Sequence, residues 1–176
     1  MTMMDKKLFI FVEGEDDKRF FDYIVIPQIE PIYKSIIIKT YAEEKKGKLE
    51  KYIKSIRNYY DYIFIADINS SPCVVAKKES ILEEYNFLDG NKTILVRHEI
   101  ESWYLAGLSD EISEKFKIRT LKNTDKITKE VFNKMMNRSR FDSRIDFMVE
   151  ILNHFSIETA IKKNKSFKYF MNKIFK

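Results

Sequence analysis

Apolar and polar positions alternate between two spacings along the first hundred residues. Lys6 and Lys7 precede Leu8-Phe9-Ile10-Phe11-Val12, a run rich in aromatic and β-branched residues that is too short for a buried helix and suits a strand covered on both faces. Residues 16–28 carry Phe20, Phe21, Ile24 and Val25 at helical spacing, and Pro27 and Pro31 are expected to end that helix. Residues 35–42 form a second, β-branched strand. Residues 44–60 form a lysine-rich amphipathic helix with Leu49, Ile53 and Ile56 on one face. Residues 61–68 read as the third strand. Ser70, Ser71 and Pro72 then break the pattern, and residues 74–85 read as a helix with Ser71 as N-cap and Pro72 at its first position. A turn at Asp89-Gly90-Asn91 leads to a strand over 92–96 and a helix over 99–108. The alternation predicts an α/β fold, a four-stranded parallel sheet flanked by helices and joined by right-handed crossovers.

From Ser109 the strand pattern stops. Residues 110–116, 125–136, 141–155 and 157–175 are four helical stretches, the third with Ile145, Met148, Val149 and Leu152 in register. The predicted organisation is an α/β domain over 1–108 and a helical C-terminal extension over 109–176 packed on it. No internal repeat or low-complexity linker separates the two. A chain of 176 residues with 44% hydrophobic residues supports one substantial core and not two ordinary domains.

Composition narrows the function classes. No apolar run spans a bilayer and residues 1–7 do not resemble a signal peptide, so the expected location is cytoplasmic, with no membrane partner. A single cysteine, Cys73, excludes an intramolecular disulfide and a cysteine-rich metal cluster, and is expected to be a small buried residue. The net charge of +5 is a weak pointer to an acidic partner. Its distribution says more: residues 162–176 hold six lysines and no acid, whereas the acids of residues 1–101 occur in clusters. A nucleic acid could bridge an acidic, metal-loaded site and that basic tail.

The acids lie where a parallel sheet gathers its ligands. Glu13 follows the first strand, Asp67 and Asn69 end the third, and Glu99 and Glu101 follow the fourth, all at strand C-termini, which converge on one edge. Helix capping is the competing reading for the first group, and Glu15, Asp16 and Asp17 suit the positive end of a helix dipole. Gly14 would let the backbone turn tightly there. Asp67 and Asn69 would face the same way if the strand stayed extended to Asn69. Convergent carboxylates repel unless a cation neutralises them, and hard oxygen ligands suit magnesium or manganese.

Three motifs then carry a family resemblance: Val12-Glu13-Gly14 with Asp17, the strand end Asp67-Ile68-Asn69, and Glu99-Ile100-Glu101-Ser102-Trp103-Tyr104-Leu105-Ala106. Together they resemble the Toprim domain of topoisomerases, bacterial primases, OLD-type nucleases and small stand-alone relatives. The Glu-x-Glu-x-Trp segment points to the stand-alone group. The resemblance covers about residues 6–107 and extends more weakly to 164–170. It implies that Glu13 is a general acid/base or metal ligand, that Asp17 is the second acid of the nuclease-type motif, and that Asp67 is the first aspartate of an Asp-x-Asp pair. Asn69 stands where the second aspartate belongs; an amide oxygen can coordinate a cation but brings no charge. The implied cofactor is one or two Mg2+ or Mn2+ ions, held mainly by Glu13, Asp67 and Glu101, with Asp17, Asn69 and Glu99 as further ligands.

The remaining residues keep two readings each. Arg97 and His98 lie beside the acids and could contact phosphate, or His98 could serve a structural hydrogen bond. Lys162, Lys163, Lys165 and Lys168 could contact a nucleic-acid backbone or form a solvated face. Trp103 could stack on a base or pack a helix, His154 reads as packing, and Lys45-Lys46-Gly47-Lys48 could lie near phosphate or form an exposed turn. With no assignable strand-transfer tyrosine and no primase zinc motif, the expected activity is metal-dependent hydrolysis of phosphodiester bonds in DNA or RNA, a nuclease-like role in phage defence, catalysed by Glu13 and Asp67. The alternative is a non-catalytic nucleic-acid- or protein-binding module that keeps the fold. The resemblance also admits a separate ATPase partner, and the oligomeric state is open.

Overall fold

The apolar run after Lys6 does form a strand, β1 (Lys7–Val12), in a computed structural model that describes residues 6–69, 71 and 73–175. β1 pairs in parallel with β2 (Ser35–Thr40), from Lys7 opposite Ser35 to Val12 opposite Thr40. On its other side it pairs in parallel with β3 (Asp61–Asp67), Leu8 opposite Asp61 and Phe11 opposite Phe64. β4 (Thr93–Val96) completes a four-stranded parallel sheet of order β2-β1-β3-β4. Continuing both registers brings Tyr41 and Ala66 level with Glu13, and the amide of Ala42 donates to the Glu13 carbonyl at 3.1 Å.

By its internal contacts the chain divides into two units, Met1–Leu95 and Val96–Lys176. In the first, one sheet face buries Phe9, Phe11, Tyr62, Phe64 and Tyr41 in a cluster with Leu49, Ile53 and Ile56 of α3 (Lys46–Ile56) and Ile81 of α4 (Val74–Glu84). The intervening residues Leu8, Ile10 and Val12 are buried too, so both faces of the central strand are covered, as its unbroken apolar run requires.

The first helix does not stop at Pro27. α1 (Glu15–Phe20) widens into a π-helical turn over Phe21–Val25 and continues as α2 (Ile26–Ile29), with Pro27 in the first turn of that segment. The wide turn, in which the Ile26 amide donates to the Phe21 carbonyl, resets the ladder just before it. Cys73 is exposed, not buried, because the chain leaves the sheet after β3 and Cys73 becomes the N-cap of α4, its sulfur accepting from the Ala76 amide at 3.3 Å. Ser71 therefore does not cap that helix, and Pro72 lies outside the described residues.

The second unit is helical: α5 (Glu101–Ala106), α6 (Asp110–Lys115), α7 (Lys129–Arg138), α8 (Arg144–Asn153), α9 (Ile157–Lys163) and α10 (Lys165–Ile174). Side chains of Ser109, Thr128, Ser143, Ser156 and Asn164 accept the amide three residues on and start α6 to α10 in turn. The single helix expected over 157–175 is thus two, broken at Asn164. Among the described residues no helix is long and apolar enough to cross a membrane.

Candidate functional site

The C-terminal ends of β1, β2 and β3 open into a cleft of about 250 Å³ lined by Glu13, Tyr41, Ala42, Phe64, Ala66, Asp67, Asn69, Lys77, Ile81, Glu84 and Tyr85. Each wall follows from the fold. Glu13 is the first residue past β1, Asp67 is the last of β3, Tyr41 follows β2, and Lys77 and Glu84 come from one face of α4, about two turns apart.

Tyr41 lines the cleft beside these acids. Burial raises the pKa of its phenol far above the ordinary tyrosine value, and the charges of Glu13, Asp67 and Asp17 raise it further. The phenol therefore stays protonated. Its ring stacks on Phe64 with centroids 4.4 Å apart, and its hydroxyl donates to the Ile65 carbonyl at 3.0 Å, tying the end of β2 to β3. Burial likewise raises the pKa of Tyr85, helped by Glu84 and Glu13. Neither phenol is poised as a nucleophile.

The three acids differ in their engagements. Asp17 is buried, and its Oδ2 accepts the Gly14 amide at 3.1 Å, closing the first turn of α1, so the capping reading holds for this oxygen. Its Oδ1 and the Oδ1 of Asp67 are shielded from solvent. Asn69 is exposed and left-handed (φ 52°), so the extended conformation does not persist to it, although it still lines the cleft. Gly14 does not make the tight turn expected of it: its backbone is extended (φ −145°, ψ −171°), a conformation open to any residue. A Cβ added there would meet only Asp17 Oδ2, at 3.9 Å.

The cation implied by the resemblance can be tested against these donors. Among the described residues no group of three or more His, Cys, Asp or Glu side chains is arranged to hold a metal ion. The donors fit a narrower case. Glu13 and Asp67 offer two carboxylates on one cleft and Asn69 an amide oxygen, and magnesium is commonly held by one or two carboxylates, with water and substrate phosphate completing its octahedron.

The acids after β4 belong to the second unit and are engaged there. Glu99 Oε2 accepts the Lys129 amide at the start of α7. Glu101 is buried, and its Oε1 accepts from Arg144 Nη2 at 2.7 Å while Arg144 Nε donates to Asn133 at 3.0 Å. Burial raises the Glu101 pKa and Arg144 pulls it back. Arg97 is exposed, with Nη1 3.8 Å from Asp125 Oδ2, and His98 takes a left-handed conformation (φ 62°) before α5. Trp103 is fully buried against Phe167 and Phe170, and its Nε1 donates to Ser166 at 2.9 Å, so it packs and does not stack on a base. His154, half-buried beside Phe116, approaches the Glu150 carbonyl at 3.0 Å, as the packing reading expects.

The lysines of the tail separate into two kinds. Lys162, Lys165 and Lys168 are exposed, whereas Lys163 Nζ donates to the Leu108 carbonyl at 2.7 Å and lies 3.4 Å from Asp110. Sequence reasoning missed Tyr41, Lys77 and Glu84. The register gives the signal for Tyr41, since it follows the strand paired with β1 and so comes level with Glu13; Lys77 and Glu84 leave no comparable mark.

Comparison with known proteins adds structural likenesses. The chain is similar over 95% of its length to 94% of the C-terminal region of the Burkholderia pseudomallei OLD protein, at 14% identity and a TM-score of 0.41. Over 97% of its length it is similar to 94% of the C-terminal region of the Xanthomonas campestris pv. campestris OLD protein, at 12% identity and a TM-score of 0.41. No protein-family model and no curated protein matches the sequence.

Proposed function

We propose that the chain is a magnesium- or manganese-dependent phosphodiester hydrolase acting on DNA or RNA from the cleft at the ends of β1 and β3. The observation that carries this reading is the cleft at the strand ends that Glu13 and Asp67, remote from each other in sequence, line together with Asn69 and Lys77. Glu13 and Asp67 would hold the cation, with the Asn69 amide oxygen as a weaker donor. When bound, the cation supplies Lewis-acid stabilisation of the charge that builds on the phosphoryl oxygens. Glu13 accepts the proton of the attacking water as its O–P bond forms, the bond to the sugar oxygen breaks, and that oxygen takes a proton from solvent. The Lys77 ammonium, on the same cleft, contacts a phosphate oxygen and offsets the repulsion among the acids.

A second reading, a nucleic-acid-binding module without catalysis, is favoured by Asn69, which brings no charge to the position of an acid. One assay separates the two. Purified protein is incubated in manganese with single- and double-stranded DNA and RNA, beside Glu13→Ala and Asp67→Ala variants whose circular dichroism matches the parent. The enzyme reading predicts cleavage that falls at least 100-fold in both variants, on the order of the contribution of one general acid/base. Salt-sensitive binding without cleavage, indifferent to both substitutions and weakened by Lys162→Ala, Lys165→Ala and Lys168→Ala, contradicts it and supports the module.

A further inference from the structure

A second cleft, of about 310 Å³, lies at the free edge of the sheet and is lined by Phe11, Lys18, Ile38, Lys39, Thr40, Glu44, Lys48, Leu49 and Tyr52. Its floor is apolar: Phe11 and Leu49 are buried, and Ile38 and Tyr52 are half-buried. Its rim is cationic, with Lys18 from α1, Lys39 from β2 and Lys48 from α3. Glu44 is the one acid on the rim and pairs with Lys48 at 2.9 Å, an exposed bridge that contributes little and exchanges easily. The Lys39 ammonium stands 4.1 Å over the Tyr52 ring, so that ring turns its face toward the cleft. Edge-on contacts with Phe9 and Phe11, at 5.9 and 6.1 Å, hold it in that orientation.

From this arrangement we infer that the edge cleft binds a nucleoside phosphate, its base against Tyr52, Ile38 and Leu49 and its phosphate on Lys18, Lys39 and Lys48. The chemistry selects this class. A bare inorganic anion has no use for an aromatic and aliphatic floor, an apolar ligand has none for three lysines, and a volume near 300 Å³ is at the small end of ligand pockets. Stacking of a base on an aromatic face is tolerant of base identity, and a lysine over the ring gives up only a weak contact when it turns to a phosphate. The ligand could be a free nucleotide or one unit of a strand. Thr40 lines this cleft and Tyr41, the next residue, lines the acidic one, so a strand with a phosphate in the acidic cleft would set a neighbouring nucleotide here. That strand-bound case rests on the function proposed above; mononucleotide binding does not.

The experiment is calorimetric titration of the whole chain, in chelator and without divalent metal, with AMP, dTMP, inorganic phosphate and a single-stranded DNA hexamer. The expected result is saturable nucleotide binding that weakens at least tenfold in the Lys39→Ala/Lys48→Ala double variant and in Tyr52→Leu, is unchanged in Asp67→Ala, and exceeds phosphate binding at least tenfold. Tyr52→Leu keeps an apolar side chain on α3 and the two lysines are exposed, so these changes leave the fold in place, and Asp67→Ala, at a buried position, is used with circular dichroism matching the parent. A hexamer that binds more tightly than the mononucleotides identifies a strand as the source, and one that does not identifies a free nucleotide; both support the site. No saturable binding, binding indifferent to the lysines and Tyr52, or binding lost with Asp67 overturns it. Because metal is absent, a failure of hydrolysis leaves this test intact.

Discussion

Gly14 separates what the fold needs from what the site needs. Its extended backbone and the empty space where a Cβ would go mean that Gly14→Ala should change stability by less than about 1 kcal/mol. A methyl group on the residue next to Glu13 crowds a phosphate approaching that carboxylate, so the proposed phosphodiester cleavage should fall at least tenfold. Thermal melts and initial rates on one preparation check both, and a large loss of stability with unchanged rate contradicts the assignment. Glu101 gives a prediction in pH. Burial, opposed by Arg144, lifts its carboxyl above the usual carboxylate range, so the folded chain holds that proton more tightly than the unfolded chain. The stability this group contributes is therefore full below the unfolded value, about 4.3, and is lost as pH rises through the folded value. Glu101→Gln removes the titration, and its plot of melting temperature against pH from about 4 to 7 should be flatter than the parent's; an unchanged slope counts against this. At this scale the acids were legible, because a strand end followed by Glu13 or Asp67 is a local pattern. Their engagements were not, since the Glu101–Arg144 and Glu99–Lys129 contacts join residues distant in sequence.

At the scale of elements, all four strands and their parallel pairing were legible, because a short β-branched or aromatic run between amphipathic segments has few other solutions. The breaks inside helices were not. Apolar spacing runs from Ile157 to Phe175 with one polar position in the stripe, and at that position Asn164 ends one helix and starts the next. Its side chain explains why. Phe167 N–H is only a donor, so it fixes Oδ1 as the acceptor at 2.9 Å, and Ser166 donates to the same atom at 2.8 Å. Nδ2 donates to Thr124 at 3.0 Å and to Ser102 at 3.3 Å, while Ser166 in turn accepts from Trp103 and the Arg97 amide. Asn164 is therefore the polar pin between α10 and α5. Asn164→Ala strands several of these groups in a buried site and should cost about 3 kcal/mol, or roughly 6–12 °C of melting temperature. A drop under about 2 °C would show that the network contributes little. Gly107 offers a steric counterpart: a Cβ there would collide with the Phe155 ring, so Gly107→Ala should cost on the order of 1–3 kcal/mol by the same melt.

Across the whole chain, the two clefts of the sheet differ in charge. Net charge of +5 conceals a cleft rich in carboxylates and a separate lysine-rimmed cleft beside it on the sheet. The sequence pointed to the first, because its acids share strand ends. It marked the second only through Lys45-Lys46-Gly47-Lys48, which admitted a phosphate contact; Lys18 and Lys39 leave no mark, because they belong to two other elements that only the fold brings beside Lys48. The proposed function depends on Glu13 and Asp67 holding a divalent cation. Calorimetric titration of the chain with manganese should show a saturable heat that weakens at least tenfold in Asp67→Ala and in Glu13→Ala; no saturable heat, or a heat unchanged by both substitutions, rules that binding out.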